Sequence, residues 1–417
     1  MEMRTCGPNI LPMRLVLDFT ACWIYLFHIM TCKRQTRFDF DTPVDRQGTG
    51  CLKWDLYQGR DIIPMWVADM DFISPPAVIA ALKKRVSHGV FGYNLPPKEL
   101  PEVVAHMLER EHGWKIDPEW LVWMPGLVTG LNAACRAVGE AGDSVMTTTP
   151  VYPPFLQAPG LSGRSLITVP HIDDGSRYVF DFDAMEQAMT GRTKLFLLCN
   201  PQNPTGRVFS REELLRLARI CLSRGAIICS DEIHCGLVLE PDARHLSIAA
   251  LDEEIALRSI TLLSPSKTFN IPGLGFSFAV IPDSGLRKRF QQVMEGIVPH
   301  MNTFGYIAAV AAYRDCSAWH RALIDYLRTN RNLVETFVAQ TPGLSMRHVE
   351  ATYLAWIDCR QLGMQDPAAF FERHGVGLSN GKDFGAPGFV RLNFGCQRST
   401  LARALERMES AVAGHRG

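Results

Sequence analysis

Short apolar runs that alternate with helical segments constrain this chain more than any other feature. The runs are SVMTTTP (144–150), RSLITVP (164–170), KLFLLCN (194–200), AIICSDEIH (226–234), SITLLSPSK (259–267) and FSFAVI (276–281). Most lack polar alternation, as strands buried on both faces do. Between them lie helices. In SPPAVIAALKKRVSHG (74–89), Ser74 is placed to cap, Pro75 and Pro76 suit the first turn, and Gly89 ends the element. Its Val78, Ile79, Leu82 and Val86 fall on one face. PGLVTGLNAACRAVGE opens at Gly126, and SREELLRLARICLSRG carries a capping box at Ser210 and Glu213 with Gly225 at its end. Strand, helix, strand in repetition predicts an α/β fold: a mostly parallel sheet with helices on both faces.

A length of 417 residues exceeds one typical core. From about Tyr326 the rhythm changes: YLRTNRNLVETFVAQ reads as helix, YLAWIDC and GFVRLNFGC as strands. We expect a large domain at 76–325 and a smaller α+β domain built from 38–75 and 326–417. Residues 1–37 read as an extension. Its apolar stretch LVLDFTACWIYLFHIM is interrupted by Asp18 and His28 and lacks a small-residue cleavage site, so it fits a signal peptide poorly.

Forty-three basic residues balance forty-three acidic ones, so no net field favours nucleic acid or an anionic membrane as partner. The twelve cysteines include no C-x-x-C pair, and several sit in apolar runs. That pattern reads as reduced thiols in a cytosolic protein, with no metal site. Walker A, G-x-G-x-x-G after a strand, H-E-x-x-H and G-x-S-x-G are all absent.

In parallel sheets ligands bind beyond the carboxyl ends of the strands. Three polar clusters fall there: CNPQNPTG, SDEIH and SPSK. Lys267 stands at a strand end with Ser264 and Ser266 before it. A buried lysine is costly unless its pKa falls or it forms an imine, which is the chemistry of a Schiff-base lysine; a lysine reaching to solvent is the alternative. Asp231 ends an apolar run and either holds a pyridinium nitrogen protonated or caps a helix. Asn203 sits in a proline-fixed turn that can aim its amide at a ligand, or forms an ordinary Asx turn. Gly126 at a helix start offers backbone N–H groups to phosphate, or a simple loop. Tyr152 either stacks on a flat ring or packs in the core. Arg391, a lone cation in an apolar strand, needs an anion: a substrate carboxylate or a structural salt bridge.

With these residues placed, the chain from Phe38 onward resembles the fold-type I pyridoxal-phosphate enzymes, and among them the MalY/PatB group of cystathionine β-lyases. SPSKTFNIPGL, NPQNPTG, SDEIH, WVADMDF, HGVFGY and GFVRLNFG carry the resemblance, in that order-dependent combination. It implies that pyridoxal 5'-phosphate is held by Lys267 as an imine, with Asp231 on the ring nitrogen, Asn203 near the ring hydroxyl and Tyr152 stacked on the ring. It implies phosphate contacts from Gly126, Leu127, Val128, Ser264 and Ser266, and from Tyr93 of a neighbouring subunit, hence a homodimer with a shared site. Arg391 would bind the α-carboxylate of a small amino-acid substrate. Many aminotransferases have a tyrosine three residues after the ring aspartate and an arginine eight after the lysine; this chain has His234 and Gly275. Both departures lean toward β-elimination from cystathionine or another cysteine S-conjugate. An aminotransferase and a regulator acting through protein contacts remain the other expectations.

Overall fold

Alternate residues along the central strands face opposite ways, and two separate apolar cores result. The computed structural model describes residues 38–416; the extension at 1–37 lies outside the described residues. Seven strands form the main sheet: β1 (Leu121–Met124), β2 (Ser144–Thr149), β3 (Ser165–Pro170), β4 (Thr193–Cys199), β5 (Ile227–Asp231), β6 (Ser259–Leu263) and β7 (Ser277–Val280). Their spatial order is β1-β7-β6-β5-β4-β2-β3. From β3 to β6 all pairs are parallel, and β7 runs antiparallel to both neighbours. The mostly parallel α/β fold expected from the alternation is the one observed. Strand β1 had no counterpart among the apolar runs; LVWM is only four residues between Trp120 and Pro125, and its pairing with β7 makes it a strand.

The helices that matter for the site are α1 (Pro76–His88), α2 (Leu100–His112), α3 (Leu127–Ala137), α4 (Pro153–Leu161), α5 (Arg211–Ser223), α6 (Thr303–Asp315) and α7 (Ser317–Gln340). Leu195, Leu197 and Cys199 of β4 face one core with Leu131 of α3 and Phe155 of α4. Phe196 and Leu198 of the same strand face the other, with Leu214 and Leu217 of α5. Each such side chain, fully buried, contributes roughly 1.5–3 kcal/mol. Sheet edge β3 is the exception to two-sided burial, with most of its residues open.

The capping box of α5 forms in both directions between Ser210 and Glu213. Gly89 ends α1 in the left-handed region, φ 76°. Two expectations for α1 need correction. Ser74 does not cap it; the N-cap is Pro75, and the Ser74 hydroxyl instead donates to the Asn270 carbonyl at 2.9 Å, drawn off by a tertiary acceptor. Val86 does not share the burial of Val78: it is 55% exposed, near the C-terminal end of α1, while Val78 in the first turn is fully buried.

A second, antiparallel sheet comprises β8 (Ser345–Met346), β9 (Leu354–Asp358), β10 (Ser379–Asn380) and β11 (Phe389–Asn393), in the order β8-β9-β11-β10. The change of rhythm at Tyr326 falls inside α7, which continues unbroken through it. The N-terminal segment joins this region through Ile63–Pro64, paired in parallel with Val376–Gly377.

Candidate active site

Strands β4, β5 and β6 end side by side, and the residues just beyond them wall a cavity of about 360 Å³. Strand β1 points the same way, so Gly126 and α3 meet the same edge. The cavity is lined by Gly126, Leu127, Val128, Tyr152, Asn203, Asp231, His234, Ser264, Ser266, Lys267 and Arg391. One residue named from the sequence is elsewhere: Tyr93 lies wholly exposed in the irregular segment after α1 and lines no part of this chain's cavity.

Lys267 sits in the loop after β6. Burial lowers its pKa to about 8, and Arg391 lowers it too, while Asp69 and Asp231 oppose the drop. Its Nζ donates to the Ala68 carbonyl, which also accepts the Tyr353 hydroxyl at 2.9 Å. Asp231, the last residue of β5, is pushed up to about 7 by burial, against the Ile233 N–H; Glu232 adds to the rise and Lys267 opposes it. Its Oδ1 accepts that N–H at 3.1 Å, and Asp231 has no ion-pair partner among the described residues. His234 is buried and held neutral, lowered to about 3 by desolvation and the nearby cations; its Nδ1 has no hydrogen-bond partner among the described residues.

Arg391, in β11, is 4% exposed. Its Nη1 donates to Asn203 Oδ1 at 3.0 Å and its Nη2 to the Trp66 carbonyl at 2.9 Å. The Phe384 ring lies 4.7 Å from the guanidinium carbon. Nε has no partner and no carboxylate pairs with the residue among the described ones, so the structural salt bridge weighed from sequence is not there. Burial lowers the guanidinium pKa to about 10.

At the other end of the cavity Gly126 is extended, φ −178°, a backbone that any residue adopts. A Cβ built there meets nothing within 4 Å, and Gly126 lines the cavity together with the first residues of α3. That open cradle suits an anionic group at a helix start. Ser264 contributes less than its position suggests: its hydroxyl donates to the Phe276 carbonyl at 2.7 Å and accepts the Ser266 N–H at 3.1 Å. A buried carboxyl without a cation, an amine of lowered pKa, an unpaired guanidinium and an open N–H cradle fit a pyridoxal phosphate with an amino-acid substrate.

The segment Trp66–Phe72, which carried part of the resemblance but was given no role in the site, closes the cavity through Val67 and Ala68. Its contribution is mostly backbone. Asn270, held at φ 52°, accepts the Met70 N–H and donates to the Met70 and Phe72 carbonyls. Asn393 donates to the Val67 and Asp69 carbonyls at 2.6 and 2.7 Å. Below it, buried Lys53 pairs with Asp71 at 2.7 Å, and Arg46 bridges Asp69 and Asp71 at 2.8 and 2.7 Å. The string WVADMDF was visible, but nothing in it announces a carbonyl as acceptor.

Residues 60–408 match the family described as aminotransferase class I and II. Cystathionine beta-lyase PatB of Bacillus subtilis (strain 168) is 38% identical over 387 residues, covering 90% of this chain and 100% of that protein. The crystal structure of OvoB superposes with a TM-score of 0.88 at 49% identity, over 90% of this chain and 99% of the other. That of cystalysin from Treponema denticola, which contains a pyridoxal 5'-phosphate cofactor, gives 0.86 at 33% identity, over 90% and 99%.

Proposed function

We propose, for a chain that belongs to the aminotransferase class I and II family and within it to the pyridoxal-phosphate-dependent carbon–sulfur β-lyases of the MalY/PatB group, that its substrate is L-cystathionine or a related cysteine S-conjugate. The observation that carries this reading is Arg391, a buried guanidinium with no carboxylate partner among the described residues, on the wall that also holds Lys267 and Asp231. A substrate α-carboxylate supplies the missing anion through a bidentate pair.

In this reading Lys267 holds the cofactor, Asp231 keeps its ring nitrogen protonated, Tyr152 covers the ring, and the α3 N-terminus from Gly126 to Val128, with Ser266, takes the phosphate. Ser264 acts by shaping that loop. Asn203, with its Oδ1 committed to Arg391, has its amide N–H₂ to offer the ring hydroxyl. His234, neutral, lines the wall behind. When bound, the cofactor supplies an electron sink for the charge left at Cα. Lys267 Nζ takes the Cα proton, the Cβ–S bond breaks, the thiolate leaves, and the three-carbon remainder hydrolyses to pyruvate and ammonia.

The proposal includes a homodimer in which Tyr93 serves the partner's site. Tyr93 is fully exposed, and Val90, Phe91 and Leu95 beside it are 63%, 59% and 87% exposed, an apolar tract that a subunit contact would cover. It also includes a cytosolic setting, supported by nine unpaired cysteines among the described residues. The division into a large domain at 76–325 and a small one from 38–75 and 326 onward belongs to the same reading, supported by the two separate sheets.

The test supplies L-cystathionine to the holoenzyme without any 2-oxo acid and measures pyruvate and ammonia, with Lys267→Ala as the blank. Equimolar release of both, absent in the variant, is expected. Turnover that requires a 2-oxo acid acceptor would overturn the elimination reading.

A further inference from the structure

Glu232 follows Asp231 directly and is completely buried. Its Oε2 accepts from His245 Nε2 at 2.8 Å, and its Oε1 accepts the Ser230 and Ser247 hydroxyls at 2.9 and 3.1 Å. The backbone of this dipeptide is fixed on both sides: Asn200 N–H donates to the Asp231 carbonyl at 2.9 Å, and Glu232 N–H donates to the Leu262 carbonyl at 2.9 Å. Successive side chains at a strand end point to opposite faces. Asp231 therefore turns to the active-site cavity. Glu232 turns to the side where His245 and Cys235 line a second cavity of about 390 Å³. The two backbone bonds hold the dipeptide between its two neighbouring strands.

The groups acting on Asp231 come from every element around it. Tyr152, Cys199, Cys229 and Cys235 are all raised by burial and stay protonated near neutrality. That leaves Lys267 on the cavity side and Glu232 behind as the charges that Asp231 feels directly. All three bonds to Glu232 are accepted by its carboxylate, two at Oε1 and one at Oε2; a glutamine accepts only through its single amide oxygen and turns an N–H₂ toward His245 Nε2. Beyond those bonds, a second carboxylate behind a buried carboxyl acts on it by like-charge repulsion, which disfavours the ionised form of Asp231.

We infer that Glu232, held by His245, Ser230 and Ser247, is a positioning residue whose negative charge sets, through Asp231, the proton affinity of the cofactor site. The inference rests on the assignment of Asp231 to the ring nitrogen.

The experiment titrates the visible absorption of the holoenzyme against pH for the wild type, Glu232→Gln, Ser247→Ala and Asp231→Asn, with a thermal melt of each. Glu232→Gln keeps shape but loses charge; less negative potential disfavours the cationic form of the cofactor, so the midpoint falls by ~1 pH unit. Ser247→Ala loses a hydrogen bond at the same centre without a change of charge, so it melts lower with its midpoint at the wild-type value. A Glu232→Gln midpoint no further displaced than that of Ser247→Ala makes the pair structural only and overturns the inference. Should Glu232→Gln yield no holoenzyme, Glu232→Met must show the same downward displacement, and its absence has the same meaning. An Asp231→Asn spectrum identical to wild type would instead overturn the assignment of Asp231, on which the inference depends.

Discussion

Arg391 brings a guanidinium into a strand buried along its whole length, and among the described residues its contacts are to neutral oxygens and a ring. Its replacement should therefore be felt by the substrate before it is felt by the fold. Arg391→Lys keeps the charge and loses the planar fork, and KM for amino-acid substrates is expected to rise about 10- to 100-fold with a smaller change in kcat. Steady-state kinetics check it. For Lys267 the expectation concerns pH. Its ammonium loses a proton near pH 8 instead of 10.5, so the free amine dominates above about 8. Uptake of pyridoxal phosphate by the cofactor-free protein should accelerate as pH rises through that value and level off above it. Stopped-flow absorbance reads the rate; an identical rate at pH 6.5 and 9 would contradict it. Lys267, Asp231 and Arg391 stood out in the sequence as charges that interrupt apolar runs. Each had a bland alternative, and it was their coming together with the other clusters that marked them, as they meet on one cavity wall here. The Ala68 carbonyl did not stand out, since every residue has one and only tertiary placement gives it a partner.

At the scale of elements, the wall segment Trp66–Phe72 has no regular structure, so its position depends on side chains from elsewhere. Lys53, 0% exposed, is the most consequential. Lys53→Met leaves Asp71 buried with one cation fewer and is expected to destabilise the protein by about 3 kcal/mol at pH 7 in urea unfolding. The pairing has a pH signature. Despite burial, Lys53, Trp54 and Arg46 hold the Asp71 carboxyl below its ordinary value of 3.8. The stabilisation is thus complete above about pH 4 and is lost as pH falls through the lower folded value. The difference between wild type and Lys53→Met should shrink accordingly in acid. Regular elements, by contrast, were readable: the capping box of α5 and the glycine after α1 act within a few residues of chain. The expected cap at Ser74 failed because a tertiary acceptor, Asn270, lies some two hundred residues away.

For the whole molecule, the proposal that a site is shared between subunits makes a prediction that no single chain can satisfy. Tyr93→Phe and Lys267→Ala, each impaired alone, should regain activity when unfolded together and refolded. The mixed dimer then contains one site with both an intact lysine and an intact Tyr93. Mixing without recovery, while sedimentation shows mixed dimers, would place Tyr93 outside the site. The parallel sheet was visible from sequence because two-sided burial removes polar residues from strands. The meeting of distant segments was not, and the role proposed for Tyr93 comes from the resemblance alone, since an exposed tyrosine on one chain has no local chemistry.

The carbonyl of Ala68 that receives Lys267 has a consequence for how the protein is made. The two residues are 199 positions apart, and Arg391 reaches back 325 positions to Trp66. On a ribosome the first wall of the cavity emerges early, the lysine near the middle, and the arginine almost last. No truncated product that ends before strand β11 contains a finished site, however well its central sheet has formed. A nascent chain arrested there would present a reactive lysine in a half-open cleft, able to meet an aldehyde but not to select an amino acid.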